Sequence, residues 1–241
     1  MSEPTIVVPR RFCGPAESGN GGYVCGRLAA FVDANVVEVT LRRPPPLDRP
    51  LQVVHEQQRV LLLDGELLVA EAAAAELDLE APAAVSLADA MAASAGFVGF
   101  EEHAFPECFV CGPAREPGDG LRIFAGPVAG AAGAVAAPWV AREVATEIVW
   151  AAIDCPGAFA VGFSARGETV LGRMTARILR LPAEGERCIS IGWPIGEDGR
   201  KLHAGTALFA EKGDLLALAR QTWIVPREVQ RGDFLSAAPP G

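Results

Sequence analysis

The pattern of apolar and polar positions divides the chain into strands and a few helices. In the first half, apolar and β-branched runs predict strands at residues 5–8, 36–41, 51–57, 59–64 and 66–76. The dipeptide Asp64-Gly65 is a strong hairpin signal, and it favours a strand for the alanine-rich run that follows. Helical spacing of the apolar residues in 23–32 predicts a helix directly after the glycine-rich loop 14–22.

A connecting helix is predicted within residues 82–100, where Ser86 and Asp89 resemble a capping box and Gly96 ends the helix. A polar connector follows at 101–120, and then the pattern begins again. We predict two short strands within 121–140, a buried helix at 146–163, and four strands within 170–182, 187–196, 201–213 and 214–226. Residues 227–241 are expected to be a loose tail.

The segment 146–163 is apolar on all sides, and Asp154 is the carboxylate in its middle. A helix of this kind belongs inside a core, where a carboxylate must find hydrogen-bond donors or raise its pKa. Pro156 and Gly157 follow at once, so two interpretations stay open. Asp154 either caps a helix that restarts after the proline, or it is a functional carboxylate.

Composition narrows the class of protein. The 241 residues are half apolar, which is typical of a globular chain. A net charge of −9 argues against a nucleic-acid surface, which needs a basic patch. We see no secretory signal, and glycines and prolines interrupt the uncharged run 123–141. A cytoplasmic, soluble protein is therefore expected, and the six cysteines do not indicate a disulfide framework.

The two halves repeat one another. Each runs from a short strand through a buried helix to antiparallel strands, and residues 64–68 resemble 212–216 at an offset of 148. We predict an α+β fold of two tandem units, with two curved antiparallel sheets that each wrap a central helix. Joining the two sheets edge to edge would protect their strand edges. The expected division is 1–100 (with a connecting helix at 86–96), a connector at 101–120, 121–226, and the tail 227–241.

An ordered set of three polar residues lies in the second half: Asp154 in WAAIDCPGAFA, Thr175 in GRMTARILRLP and Gln221 in LLALARQTWIV. This set, on the repeated architecture, resembles the double-hotdog acyl-CoA thioesterases of the thioesterase II type and their thioesterase-like relatives. The resemblance covers nearly the whole chain as architecture and implies a tandem hotdog fold. It also implies hydrolysis of acyl-CoA or acyl-carrier thioesters without a metal or other cofactor. Asp154 would be the general base or orient the water, and Thr175 and Gln221 would hold that water.

The same resemblance implies one site per chain, because the position of the first half that is equivalent to Gln221 is Ala73. It assigns Asn20, Gly21, Gly22 and Tyr23 to the acyl or pantetheine channel, whereas an ordinary turn before a helix is the alternative. The expected partner is a small-molecule acyl thioester with a CoA moiety, with no nucleic acid and no membrane, in a monomer or homodimer. A non-catalytic hotdog protein that binds acyl-CoA or another apolar ligand remains the alternative function.

Cys108 and Cys111 form a CxxC motif, which is half of a zinc site or a redox pair. Zinc needs two further ligands, and His103, Cys13 or Cys25 would have to supply them. Packing of small residues in the connector is the interpretation that we favour, so no metal is expected. The chain also lacks a G-x-S-x-G nucleophile motif and a phosphate-binding P-loop.

Overall fold

The computed structural model describes residues 4–163 and 169–226, so the predicted tail at 227–241 lies outside the described residues. The strands are Thr5–Val7 (β1), Val36–Leu41 (β2), Pro50–Glu56 (β3), Arg59–Asp64 (β4), Leu67–Ala74 (β5), Gly126–Pro127 (β6), Val135–Val140 (β7), Val170–Ile178 (β8), Arg187–Asp198 (β9), Lys201–Ala210 (β10) and Leu215–Ile224 (β11). The α-helices are Gly21–Ala29 (α1), Leu87–Ala95 (α2), Thr146–Ala152 (α3) and Cys155–Ala160 (α4). Two short 3-10 helices cover Arg10–Phe12 and Val98–Phe100.

All eleven strands of the described residues belong to one antiparallel sheet, in the order β1-β3-β4-β5-β2-β8-β11-β10-β9-β7-β6. The two halves meet where β2 pairs with β8, from Val36 opposite Arg177 to Thr40 opposite Arg173. The two expected sheets are thus joined edge to edge into one continuous sheet. Pairing these two strands removes an exposed edge from each half, since both rows of backbone groups find partners.

The predicted hairpins and the connecting helix are confirmed. Gly65 has φ 58° in the turn between β4 and β5, and Gly213 has φ 96° in the turn between β10 and β11. The two turns occupy the same place in their halves, as the offset repeat predicts. Ser86 caps α2 by accepting a hydrogen bond from the Asp89 N–H at 3.1 Å, and Gly96 follows the last residue of the helix.

The segment 146–163, predicted as one helix, forms two helices. The helix is interrupted between Ala152 and Cys155, and Pro156 lies in the first turn of the second helix. The break leaves carbonyl groups without helical partners. The sheet supplies the donors: the Ser190 hydroxyl bonds the Ala152 carbonyl at 2.7 Å, and the Gln221 amide bonds the Ile153 carbonyl at 2.7 Å. The break is thus held in place by side chains of β9 and β11.

Helices cover both faces of the sheet. The helices α1, α3 and α4 share one large core with one face, and α2 packs with β7, β9 and β10 in a second core on the other. Glycines let α1 approach α3 closely, since a Cβ on Gly22 would lie 2.7 Å from the Trp150 carbonyl oxygen. None of the described helices is long and apolar enough to cross a bilayer.

Candidate active site

Asp154 is the buried carboxylate at the break between α3 and α4, with 2% of its surface exposed. Its Oδ2 atom accepts hydrogen bonds from the Asn20 amide at 3.0 Å and from the Gly22 N–H at 2.9 Å. Its Oδ1 atom has no hydrogen-bond partner among the described residues. Asp154 occupies the position before α4, but its side chain does not cap that helix. The carboxylate faces the first turn of α1, where backbone N–H groups favour negative charge.

Asn20 holds this arrangement together from the end of the glycine-rich loop. Its Oδ1 atom accepts from the Tyr23 N–H at 2.9 Å and so caps α1, and its Nδ2 atom donates to Asp154. One buried amide therefore fixes both the start of α1 and the orientation of the carboxylate.

The surroundings of Asp154 disfavour its charged form. Burial raises the pKa of the carboxyl group to about 7, the nearby Cys108 sulfur acts in the same direction, and the donors on Gly22 and Asn20 act against it. A carboxyl group with a pKa near neutrality can accept and return a proton at physiological pH.

A pocket of about 510 Å³ opens beside Asp154. Its walls are largely apolar: Leu41, Pro44, Pro45, Phe105, Ala158, Phe159, Phe163, Val170, Leu171, Trp223 and Ile224. Four buried side-chain atoms of the described residues have no hydrogen-bond partner, and three of them belong to residues that line this pocket. These three are Oδ1 of Asp154, Nε2 of His103 and Oγ1 of Thr169. Buried polar groups are almost always paired, so three such atoms at one pocket indicate a polar ligand group.

His103 presents a hydrogen-bond donor to this pocket. Its Nδ1 atom accepts from the Phe105 N–H at 3.0 Å, so the neutral ring carries its proton on Nε2. Burial among Phe97, Phe159 and Phe163 lowers the pKa of the ring and favours this neutral form.

Three buried cysteines meet at the floor of the same pocket. The sulfur atoms of Cys108, Cys111 and Cys155 lie within 4.8 Å of one another, and those of Cys108 and Cys155 are 3.8 Å apart. The thiols of Cys111 and Cys155 lower the pKa of Cys108 by hydrogen bonding to its sulfur. Cys155, the residue after Asp154, is the member of this cluster that the sequence reasoning missed.

The side chains of Gln221 and Thr175 lie on opposite faces of the sheet. Gln221 pairs with Met174 across the two strands and points to the helix side, where its amide reaches the Asp154 backbone carbonyl at 3.2 Å. Thr175 pairs with Arg220 on the other face and donates to Glu38 of β2 at 3.0 Å. Successive strand residues alternate between faces, so Thr175 lies across the sheet from Asp154, contrary to the expected convergence on one water.

The residues expected in the substrate channel separate into three groups. Asn20 and Gly21 line the pocket. Gly22 contributes its N–H to Asp154 and is held closely against it. Tyr23 lies outside the pocket lining, where its ring stacks on Phe12 at 4.0 Å between centroids and its hydroxyl accepts from Arg27.

The sequence matches no protein-family model and no curated protein. Solved structures do resemble the chain over almost its full length. A protein from Alicyclobacillus acidocaldarius described as having a hot dog fold aligns with a TM-score of 0.53 and 11% identity, over 94% of this chain and 93% of that one. This chain has a hotdog fold.

Two further solved structures align over a similar share of the chain. The tesB protein of Mycobacterium avium subspecies paratuberculosis has a TM-score of 0.56 and 14% identity, over 87% of this chain and 88% of its own. Acyl-CoA thioesterase II TesB2 from Mycobacterium marinum has a TM-score of 0.56 and 14% identity, over 91% of both chains. At this identity the likeness establishes the fold, as the sequence resemblance predicted, and the function is argued from the site.

Proposed function

We propose that this protein hydrolyses acyl thioesters, with acyl-CoA as the substrate, in the pocket beside Asp154. One observation carries the proposal: three buried and unpartnered polar atoms belong to residues that line a single, largely apolar pocket. An apolar pocket suits an acyl chain, and the polar atoms suit a reacting carbonyl group and a water molecule. The name of a structural neighbour, acyl-CoA thioesterase II TesB2, supports the same class of reaction.

In the proposed mechanism Asp154 is the general base. Its Oδ2 atom is fixed by Asn20 and Gly22, which leaves Oδ1 for the attacking water. The water loses a proton to the carboxylate as its oxygen bonds the carbonyl carbon. The carbon–sulfur bond then breaks as Asp154 returns the proton to the leaving sulfur, and the products are a carboxylic acid and a thiol.

His103 would stabilise the negative charge that develops on the carbonyl oxygen. Its Nε2–H is a neutral donor without a partner among the described residues, and its ring is held by three phenylalanines. A donor that is fixed before the reaction contributes more than one that must reorient, which is the principle of an oxyanion hole.

Gln221 is assigned as a positioning residue. Its amide holds the backbone carbonyls of Ile153 and Asp154, and its own oxygen accepts from the Trp223 indole N–H at 2.8 Å. It therefore acts on the carboxylate through the backbone. Thr175 has no part in the proposed site, because it faces the other side of the sheet.

The phosphates of CoA need positive charge, and two exposed arginines belong to the pocket lining. Arg42 pairs with Glu71, whereas the side chain of Arg43 has no hydrogen bond or ion pair among the described residues. We assign Arg43 to a CoA phosphate. Five other arginines do not line this pocket: Arg115, Arg122, Arg142, Arg177 and Arg180.

We also assign residues 1–100 and 121–226 to tandem hotdog units connected by 101–120. Support comes from the strand order: read outwards from the β2–β8 junction, β2-β5-β4-β3-β1 corresponds to β8-β11-β10-β9-β7, and the second half adds β6 at its edge. The corresponding helices, α1 and α3, each precede the junction strand of their half.

The test is thiol release from a panel of acyl-CoA esters of increasing chain length. We expect the purified wild-type protein to release CoA thiol and free acid in equal amounts. Thermal stabilisation by the same esters without thiol release would contradict hydrolysis and would favour a non-catalytic binding protein. Thr175→Val serves as the matched control, because it removes a polar group of the second unit that faces away from the pocket.

A further inference from the structure

The cluster of Cys108, Cys111 and Cys155 has no role in the proposed hydrolysis. The three residues are at most 6% exposed, and their sulfur atoms lie within 4.8 Å of one another. They come from two separate parts of the fold, the connector and the first turn of α4. Three thiols of such different origin at one point exceed what the packing of small residues in the connector requires.

The spacing of the sulfur atoms matches a tetrahedral zinc centre. With zinc–sulfur bonds of about 2.3 Å, neighbouring sulfurs of a tetrahedron are about 3.8 Å apart. The observed separation of Cys108 and Cys155 is 3.8 Å, and no separation in the cluster exceeds 4.8 Å. A zinc ion would therefore need the remaining sulfur pairs to approach by at most about 1 Å.

Hydrogen-bond donors already surround these sulfurs. The backbone N–H groups of Val110 and Cys111 help to lower the pKa of the Cys108 thiol. The Asn20 amide nitrogen lies 3.9 Å from the Cys108 sulfur and 4.0 Å from the Cys155 sulfur. Donors of this kind orient and stabilise metal-bound thiolates.

We propose that Cys108, Cys111 and Cys155 bind a zinc ion as thiolates. Each zinc–sulfur bond forms as the thiol releases its proton to solvent, and no electron transfer is needed. No further His, Cys, Asp or Glu of the described residues joins this group. The fourth position faces the pocket that all three cysteines line, where water or an atom of a ligand completes the tetrahedron.

The zinc site goes beyond the proposed hydrolysis and does not depend on it. It would tie the connector to α4 next to Asp154, so the metal would fix the floor of the pocket. The sequence favours no metal because it contains one CxxC and no second one. The third ligand of the cluster comes from a segment 44 residues beyond Cys111.

The experiment measures metal directly in protein that is purified under reducing conditions without chelators. We expect about one zinc per chain by elemental analysis in the wild type. Cys155→Ser should lose this zinc on dialysis, and Cys188→Ser, which changes a buried cysteine outside the cluster, should retain it. Circular dichroism reports whether both variants are folded.

Cobalt substitution keeps the proposal testable if Cys155→Ser does not fold. Wild-type protein loaded with Co²⁺ should show the near-ultraviolet charge-transfer band of thiolate ligands. Three results would overturn the proposal: wild-type protein that contains no zinc and takes up neither metal, zinc retained in folded Cys155→Ser, or a Cys108–Cys155 disulfide found in place of the metal.

Discussion

Replacing Asp154 by asparagine keeps the shape of the side chain and removes a charge that the fold disfavours. Raising the pKa of this carboxyl group from 3.8 to about 7 corresponds to a cost on the order of 4 kcal/mol for the charged form. The new amide places an unpartnered N–H where Oδ1 now lies, which costs about 1–3 kcal/mol. We therefore expect Asp154→Asn to be more stable than the wild type by about 1–3 kcal/mol above pH 7.

The sign of the pH dependence follows from the two pKa values. The unfolded chain loses the Asp154 proton above pH 3.8, and the folded protein keeps it until about pH 7. The folded state binds more protons between these values, so wild-type stability falls with rising pH relative to the variant. Below pH 3.8 the carboxyl group is neutral in both states, and the advantage of the variant should disappear.

Denaturant unfolding of both proteins between about pH 3 and pH 8.5 measures this difference. If the role of Asp154 is catalytic, its charged form is expected to destabilise the fold, as is common at active sites. If its role is to cap α1, its charged form should stabilise the fold. Loss of stability in Asp154→Asn at high pH would refute the functional interpretation and support a purely structural role.

Three further outcomes are expected. Gly22→Ala should lower the free energy of unfolding by about 1–3 kcal/mol, because the new Cβ would lie 2.5 Å from the Asp154 Cβ. Gly196→Ala is the control, since a Cβ at that position meets open space. Equal stability of the two variants in denaturant unfolding would contradict the close packing of Gly22. Arg43→Ala should raise KM for acyl-CoA roughly tenfold in steady-state kinetics by removing one charged contact. It should not affect a short thioester without phosphates, and an equal effect of the exposed Arg177→Ala would contradict the assignment. The Arg180 guanidinium lowers the pKa of Glu186 to about 2. The wild type should therefore be more stable than Glu186→Gln above pH 4.5 and lose that advantage as the pH falls through 2. A stability difference between the two proteins that stays constant as the pH falls would contradict this.

Local signals in the sequence predicted most of the elements. Ser86 and Gly96 bracket α2 because capping and helix termination depend on neighbouring residues alone. Pro156 likewise predicts the interruption near Asp154, since a proline lacks the N–H that a continuous helix needs. The offset between residues 64–68 and 212–216 corresponds to equivalent hairpins of the two halves.

The site was harder to predict because its parts come from distant segments. Asn20, His103 and Cys155 meet at the pocket through the packing of a loop, the connector and α4, which no local pattern encodes. The face of Thr175 was available from the sequence: Met174 and Ala176 are apolar and alternate with Arg173, Thr175 and Arg177, a period that places Thr175 on the polar face.

The most direct test of the account is kcat/KM for acyl-CoA hydrolysis by Asp154→Asn, measured beside the wild type and the Thr175→Val control. We expect the asparagine variant to lose at least about a hundredfold in kcat/KM, the contribution typical of a general base. The control should keep the wild-type value. Undiminished hydrolysis by folded Asp154→Asn would contradict the central role of this carboxylate.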